Sequence, residues 1–213
     1  MKQPLVSVII DNYNYGRFIA EAIESVLNQD YKNFELIIVD DGSSDESKEI
    51  ITRYLERNKN IIAVFKKNGG QTSAFNAGFA RAKGDIIAFL DSDDYWFSDK
   101  LTKIVKKHKK YDLVQHYLSH NGNGVYRHIH KDVDWHEVLV KYGYLYNHSV
   151  CSSLSFKKEL LNKIFPLIDE NEMVYCTDGI LLMASLSLVK VGIIDEILGF
   201  YRVHGQNLFI NNT

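Results

Sequence analysis

Where the apolar run IIAFL meets DSDDYW, three carboxylates fall within four positions: Asp91, Asp93 and Asp94. Like charges this close repel, and a turn needs one Asp or two. Asp91 and Asp93 are two apart, so in extended backbone they face the same way. Hard oxygen ligands on one side suit Mg²⁺ or Mn²⁺, which bridges a few carboxylates to substrate phosphates and would relieve the repulsion. The alternative is local: Asp93 and Asp94 form a turn or cap a helix beginning near Ser98. A second acidic pair, Asp40-Asp41, ends another apolar run in VDDGSSDES.

These acids need elements to position them. Leu5 to Ile10, Phe34 to Val39, Ile61 to Phe65 and Asp85 to Leu90 read as buried strands, rich in β-branched residues. Between them, Gly16 to Gln29 places Phe18, Ile19, Ala22, Ile23, Val26 and Leu27 on one helical face. A second helix, capped by Ser43 or Ser44, carries Ile50, Ile51, Tyr54 and Leu55; Thr72 to Lys83 predicts a third. Strands alternating with helices imply βαβ units and a parallel sheet covered on both faces. Ligands then collect at the C-terminal strand edge, where both acidic groups fall.

No G-x-G-x-x-G follows the first strand and no G-x-x-x-x-G-K-[ST] occurs anywhere, so dinucleotide and P-loop readings lose their main support. A phosphate here would be neutralised by something other than a glycine cradle, which again favours a metal.

Two stretches carry a family resemblance: VSVIIDNYNYGRFIAEAIESVLNQDYKNFELIIVDDGSSDES and NGGQTSAFNAGFARAKGDIIAFLDSDD. In order and spacing, about Val6 to Trp96 resembles a glycosyltransferase family 2 enzyme of the GT-A fold, and the likeness returns at YCTDGILL and YRVHGQN. The resemblance implies an inverting transferase that uses a nucleotide-diphosphate sugar, most often UDP-linked, with Mn²⁺ or Mg²⁺. It implies that Asp11 and Tyr13 border the base pocket and that Asp41 hydrogen-bonds the base edge, discriminating uracil. Gln71 and Asn76 would line the nucleotide-sugar site. Asp91 would reach the ribose or sugar, and Asp93 the metal, with Asp94 left as a structural member. His204 would approach the metal or diphosphate, against the plainer reading of an ordinary histidine; Arg202 would pair with phosphate or be a solvated strand residue. The family often has Pro-Thr or Pro-Val where this chain has Asp11-Asn12, so side chain or backbone could make the contact there.

Inverting transfer needs a base for the acceptor hydroxyl. The resembled family places it as the Asp of a Glu-Asp or related pair opening a late helix; here Thr177-Asp178 precedes GILL, making Asp178 the candidate. Thr177 or Asp178 is also an ideal N-cap, and both roles can hold together.

Beyond Lys100 the pattern loosens into a mixed, irregular half. Lys100 to Lys109 predicts a helix with a basic face (Lys100, Lys103, Lys106, Lys107, Lys109, Lys110), solvated by default, with peripheral membrane contact as the alternative. Leu113 to Leu118, Val125 to Ile129, Val150 to Phe156 and Val191 to Val203 read as strands, the last with a turn. Trp135 to Tyr142, Lys157 to Lys163 and Gly179 to Val189 read as helices. Tyr142, Tyr144, Tyr146 and His148, like Trp96, offer either an acceptor wall or rim packing. The expected architecture is one α/β, GT-A-like domain over 1–213, with a nucleotide-sugar-binding half at 1–98 and an acceptor or catalytic half at 99–213.

With 213 residues, 46% hydrophobic, the chain can bury one substantial core. A net charge of −2 gives no electrostatic reason to expect a nucleic-acid partner. Two cysteines are too few for a disulfide framework and fit a cytoplasmic setting, and no segment approaches a membrane span. The acceptor expected is a glycan or lipid-linked glycan, the latter suiting contact with the inner membrane face. The chain is short for the resembled family, which leaves room for a C-terminal acceptor or membrane element beyond it. Two alternatives remain at this stage. A sugar-nucleotide nucleotidyltransferase would want a basic, Gly-rich loop after the first strand, where DNYNYGR has only Gly16 and Arg17; a binding pseudoenzyme would not need Asp178.

Overall fold

Strand β1, Val6–Asn12, is buried on both faces, and its alternation sorts the core into two. Val6, Val8 and Ile10 point to one cluster; Ile9 points to the other, with Ile37, Val39 and Phe89. A computed structural model of the chain describes residues 3–120, 124–126, 134–142, 150–167, 177–205 and 207. It shows β1, α1 (Gly16–Leu27), β2 (Phe34–Asp40), α2 (Ser47–Arg57), β3 (Ile61–Phe65), α3 (Gly70–Arg81) and β4 (Ile86–Asp91) alternating as expected. Next come β5 (Tyr95–Trp96), α4 (Lys100–Lys107), β6 (Leu113–His120), β7 (Gly124–Tyr126) and α5 (Trp135–Tyr142). The chain ends in β8 (Leu154–Lys157), α6 (Lys158–Leu161), α7 (Thr177–Leu186) and β9 (Val191–Tyr201).

The strands form one sheet in the order β3-β2-β1-β4-β8-β6-β9-β5, with β7 beside β6. The first four are parallel; β8 then enters antiparallel to both β4 and β6, while β6 and β9 run parallel. Helices α1, α2 and α4 cover one face through Ile19, Ile23, Val26, Ile51, Leu101 and Ile104. Helices α3 and α7 cover the other through Phe75, Leu181, Leu182 and Leu186. Helix α3 lies so close to β1 that a Cβ on Gly78 would stand 2.6 Å from Ile9 Cγ2. That is below any ordinary carbon contact, so only glycine lets α3 reach this depth.

Several expectations are corrected. Neither Ser43 nor Ser44 caps α2. Asp45 Oδ1 accepts the Ser47 N–H at 3.0 Å, and the serines tie loops together: Ser43 Oγ accepts the Asn14 N–H at 2.9 Å. The strand expected over Val150 to Phe156 is a 3₁₀ turn at Cys151–Ser153 followed by β8. Ser153 Oγ donates to Val150 O at 2.8 Å, a local bond that competes with the ladder. Strand β9 runs unbroken for 11 residues, register shifts in its pairing with β6 absorbing the irregularity expected as a turn. The short β5 had no signal of its own; it exists because β9 pairs with it, Trp96 opposite Gly199. Lys100 is fully buried and does not belong to the basic face of α4, and Lys103 is paired with Asp99 and Glu196. Among the described residues no helix is long and apolar enough to cross a membrane.

Candidate functional site

Strands β1 and β4 are parallel neighbours in a register that sets Asp11 beside Asp91. Each lies two residues past a core residue, Ile9 or Phe89, of the cluster beneath α3 and α7, so period two turns both carboxylates toward those helices. The first turn of α3 meets them there. Gln71 Nε2 donates to Asp11 Oδ2 at 3.1 Å and to Asp91 Oδ1 at 3.2 Å, bridging the two acids. Among the described residues the buried Asp11 Oδ1 has no hydrogen-bond partner. Burial pushes the Asp11 carboxyl up to about 7, with the Gln71 bond opposing. Burial pushes Asp91 well above the usual range, helped by the charges of Asp11, Asp94, Asp93 and Asp178.

After β4 the chain turns sharply, the Asp94 N–H donating to Asp91 O at 3.0 Å. This turn separates the acids. Asp94 is buried and its Oδ1 accepts the Arg202 N–H at 2.9 Å, the structural part expected of it. Asp93 Oδ2 lies 2.9 Å from His204 Nε2, bringing the two expected metal residues together from positions 111 apart in sequence. His204 packs edge-on against Tyr15 and beside Phe18. Arg202 neither faces solvent alone nor waits for phosphate: its Nε donates to Asp93 O at 2.9 Å and its Nη2 bonds Glu21.

A cavity of about 140 Å³ opens over these groups, lined by Asp11, Tyr13, Tyr15, Gln71, Asp91, Ser92, Asp93, Tyr201 and Asn207. Tyr13, at the cavity lining, is 49% exposed. Tyr15, Tyr201 and Asn207 were not singled out in the sequence, although NYNYG and YRVHGQN contain Tyr15, Tyr201 and Asn207. Asn207 Nδ2 donates to Arg202 O at 2.7 Å, and its Oδ1 accepts the His204 N–H at 2.8 Å, folding that segment over the acids.

Two residues expected at the nucleotide sugar do other work. Asp41 is buried, and its carboxylate accepts from Lys66 Nζ at 2.6 Å, from Gly69 N at 3.1 Å and from Gly70 N at 2.7 Å. It thereby caps α3 from the end of β2, which Gly69, having no side chain, cannot do itself. Asn76 does not line the cavity; its Oδ1 accepts the Leu167 N–H at 2.9 Å and its Nδ2 donates to Leu167 O at 3.1 Å. Asp178 occupies the first turn of α7, its Oδ1 accepting the Gly179 N–H at 2.7 Å. The aromatic stretch Tyr144, Tyr146 and His148, the Tyr142 side chain and Cys176 lie outside the described residues.

The family model described as glycosyl transferase family 2 matches residues 7–173. The chain belongs to glycosyltransferase family 2. One relative, an uncharacterized glycosyltransferase of Nostoc sp., is 38% identical over 95% of this chain and 66% of its own length. The putative teichuronic acid biosynthesis glycosyltransferase TuaG of Bacillus subtilis is 43% identical over 47% of this chain and 40% of its own. The chain spans 66%, 48% and 55% of three curated relatives it matches. Among solved structures, S. aureus TarS 1-349 in complex with UDP-GlcNAc superposes with a TM-score of 0.78 at 23% identity, covering 95% of this chain and 59% of that one. A mannosyltransferase from Pyrobaculum calidifontis, in complex with GDP-Man and Mn²⁺, superposes at 0.66 with 18% identity, covering 97% and 59%. These likenesses establish the GT-A fold.

The donor set here fits the divalent cation the family implies. Among the described residues no three His, Cys, Asp or Glu can enclose a metal by themselves. A cation shared with a diphosphate needs only one or two protein ligands. Asp93 and His204 supply an oxygen and a nitrogen on one side, and a cation there would favour the ionised forms of Asp91 and Asp94, whose carboxyls burial and neighbouring acids otherwise hold well above the usual range.

Proposed function

We propose that this chain is an inverting glycosyltransferase that moves a sugar, hexosyl or N-acetylhexosaminyl, from a UDP-linked donor to a glycan or lipid-linked glycan. The observation that carries the reading is the Gln71 bridge across Asp11 and Asp91 at the C-terminal edge of a parallel sheet, with the Asp93–His204 pair beside it. Family membership, and the UDP and UDP-GlcNAc complexes of TarS, support the donor class. A nucleotidyltransferase fits less well, because the loop after β1 has Tyr13, Asn14 and Tyr15 where basic, Gly-rich backbone would be needed.

In this reading Tyr13 stacks on the base, and Asp91 accepts hydrogen bonds from donor hydroxyls. Gln71 holds Asp91 in place by donating to it, and Asp41 holds Gln71 in place by capping α3. Asp178 takes the proton of the acceptor hydroxyl as that oxygen attacks the anomeric carbon. The bond from that carbon to the diphosphate oxygen breaks on the opposite face, and the nucleoside diphosphate leaves with the electron pair. The Gly179 N–H and the start of α7 orient the Asp178 carboxylate while lowering its basicity; a neighbouring diphosphate raises it again. A divalent cation held by Asp93 and His204 would neutralise charge on the departing diphosphate.

The test is nucleotide release from a panel of UDP-sugars with Mn²⁺ and candidate acceptors, comparing parent and Asp178→Asn. Removing the base should cost about 10²–10⁴-fold in kcat. A variant that turns over at the parental rate would sink the base assignment, and a parent indifferent to every donor would sink the whole reading.

A further inference from the structure

Helices α3 and α7 begin side by side above the acidic strand ends, and one contact joins their first turns. Thr72 Oγ1 and Thr177 Oγ1 are 2.9 Å apart, within hydrogen-bond reach. Both residues are 1% exposed, so neither hydroxyl exchanges its partner for water at little cost. Their neighbours in sequence give the contact its meaning. Thr72 follows Gln71, whose amide spans Asp11 and Asp91; Thr177 precedes Asp178. The hydroxyl pair is therefore a two-residue link between the side that holds the donor and the carboxylate proposed as base. The charge of Asp178 is felt at Asp91, so the two ends of the link already share one electrostatic environment.

We propose that Thr72 and Thr177 are a positioning pair that sets the placement of the base relative to the bound donor. The inference rests on the reading of Asp178 as base and deepens it. Displacement at the anomeric carbon requires donor, acceptor and base to be aligned within a fraction of an ångström, and a small misplacement costs rate without costing binding. Each helix has other anchors, α3 in the Asp41 cap, the Asn76–Leu167 bonds and Gly78 against Ile9, α7 in Leu181, Leu182 and Leu186 in the core and the His136 Nδ1 contact with Leu186 O at 2.7 Å. None of these joins the first turn of one helix to the first turn of the other, whereas the Thr72–Thr177 contact does, so it bears directly on the placement of Gln71 relative to Asp178.

The experiment measures steady-state UDP release from the UDP-sugar panel with Mn²⁺ for Thr72→Val, Thr177→Val, the double variant, both Thr→Ser variants and Asp178→Asn. Each Val variant should lose roughly 10- to 100-fold in kcat with donor KM within about twofold of the parent, because geometry is lost while binding contacts remain. The double variant should be no slower than the slower single one, since both singles break the same link. Serine, which keeps the hydroxyl, should restore most of the rate. Parental kcat in the Val variants, with lowered melting temperatures, would make the pair merely structural and overturn the proposal alone. Parental kcat in Asp178→Asn, or a parent releasing nucleotide from no donor, would overturn the base reading and the proposal together.

Discussion

Lys100 opens α4 in complete burial, its Nζ 2.8 Å from the centroid of the Trp96 ring and without a hydrogen-bond partner among the described residues. Trp96 in turn donates its indole N–H to Ser152 O at 2.8 Å, and Ser152 Oγ accepts the Asp91 N–H at 3.1 Å. The amine thus lies in the floor beneath the candidate site. Burial holds it well below its ordinary 10.5, and its charge, if present, would add to the burial that already depresses His116 to about 3. The perturbation is Lys100→Met, which keeps the stem and removes the amine. Between the folded value and pH 10.5 the unfolded parent carries up to one proton more on this side chain than the folded parent does. Parental stability relative to the variant must therefore rise with pH, by about 1.4 kcal/mol per unit between the folded value and 10.5. His116 and His108, also neutral in the fold, largely cancel in the difference. Urea unfolding followed by circular dichroism from about pH 6 to about pH 10 measures it. The acid-side plateau of the difference curve reads the folded value, and the variant should gain most over the parent at low pH. A flat difference, with the variant less stable throughout, would refute the reasoning: the amine would then be a buried ammonium held by the Trp96 face.

Two further outcomes follow from the geometry. Asn76→Ala should cost about 2 kcal/mol in urea unfolding by stranding the Leu167 N–H and C=O, while leaving donor KM unchanged; a KM shift without loss of stability would return Asn76 to the donor site. Asp11, whose folded value is about 7 against an ordinary 3.8, contributes stability that is complete below about pH 4 and gone above about pH 7. Parental stability relative to Asp11→Asn should fall across that window in pH-dependent denaturation, and a difference that rose would show the acid to be ionised in the fold.

How much was legible can be judged from particular elements. The parallel strands β1 to β4 are apolar on both faces, a pattern that requires helices on either side, so the expected strands match the observed ones within about two residues. The edge acids Asp91 and Asp93 were legible as a cluster ending a buried strand, a pattern that by itself fits either a cation site or an Asp-rich turn. The capping role of Asp41 was not legible, since its partners Gly69 and Gly70 are 28 and 29 positions away and reach it only through the β2–β3 pairing. Lys100 misled for a related reason. Helical periodicity counts a lysine as outward-facing, and only the packing of α4 against β5 and β9 closes the space around it.

The sequence by itself determined the alternation of strands and helices, the strand edge at which acids gather, and the family. These follow from local hydrophobic period and motif spacing, which are properties of neighbours along the chain. Which acids share a donor, which histidine meets which carboxylate, and which hydroxyl faces another were decided by tertiary structure alone. The bonds from Gln71 to Asp11 and Asp91, from His204 to Asp93 and between Thr72 and Thr177 join positions 60, 20, 111 and 105 apart. Such contacts exist only once sheet register and helix packing have brought distant side chains to within hydrogen-bonding distance, and no local pattern encodes that geometry.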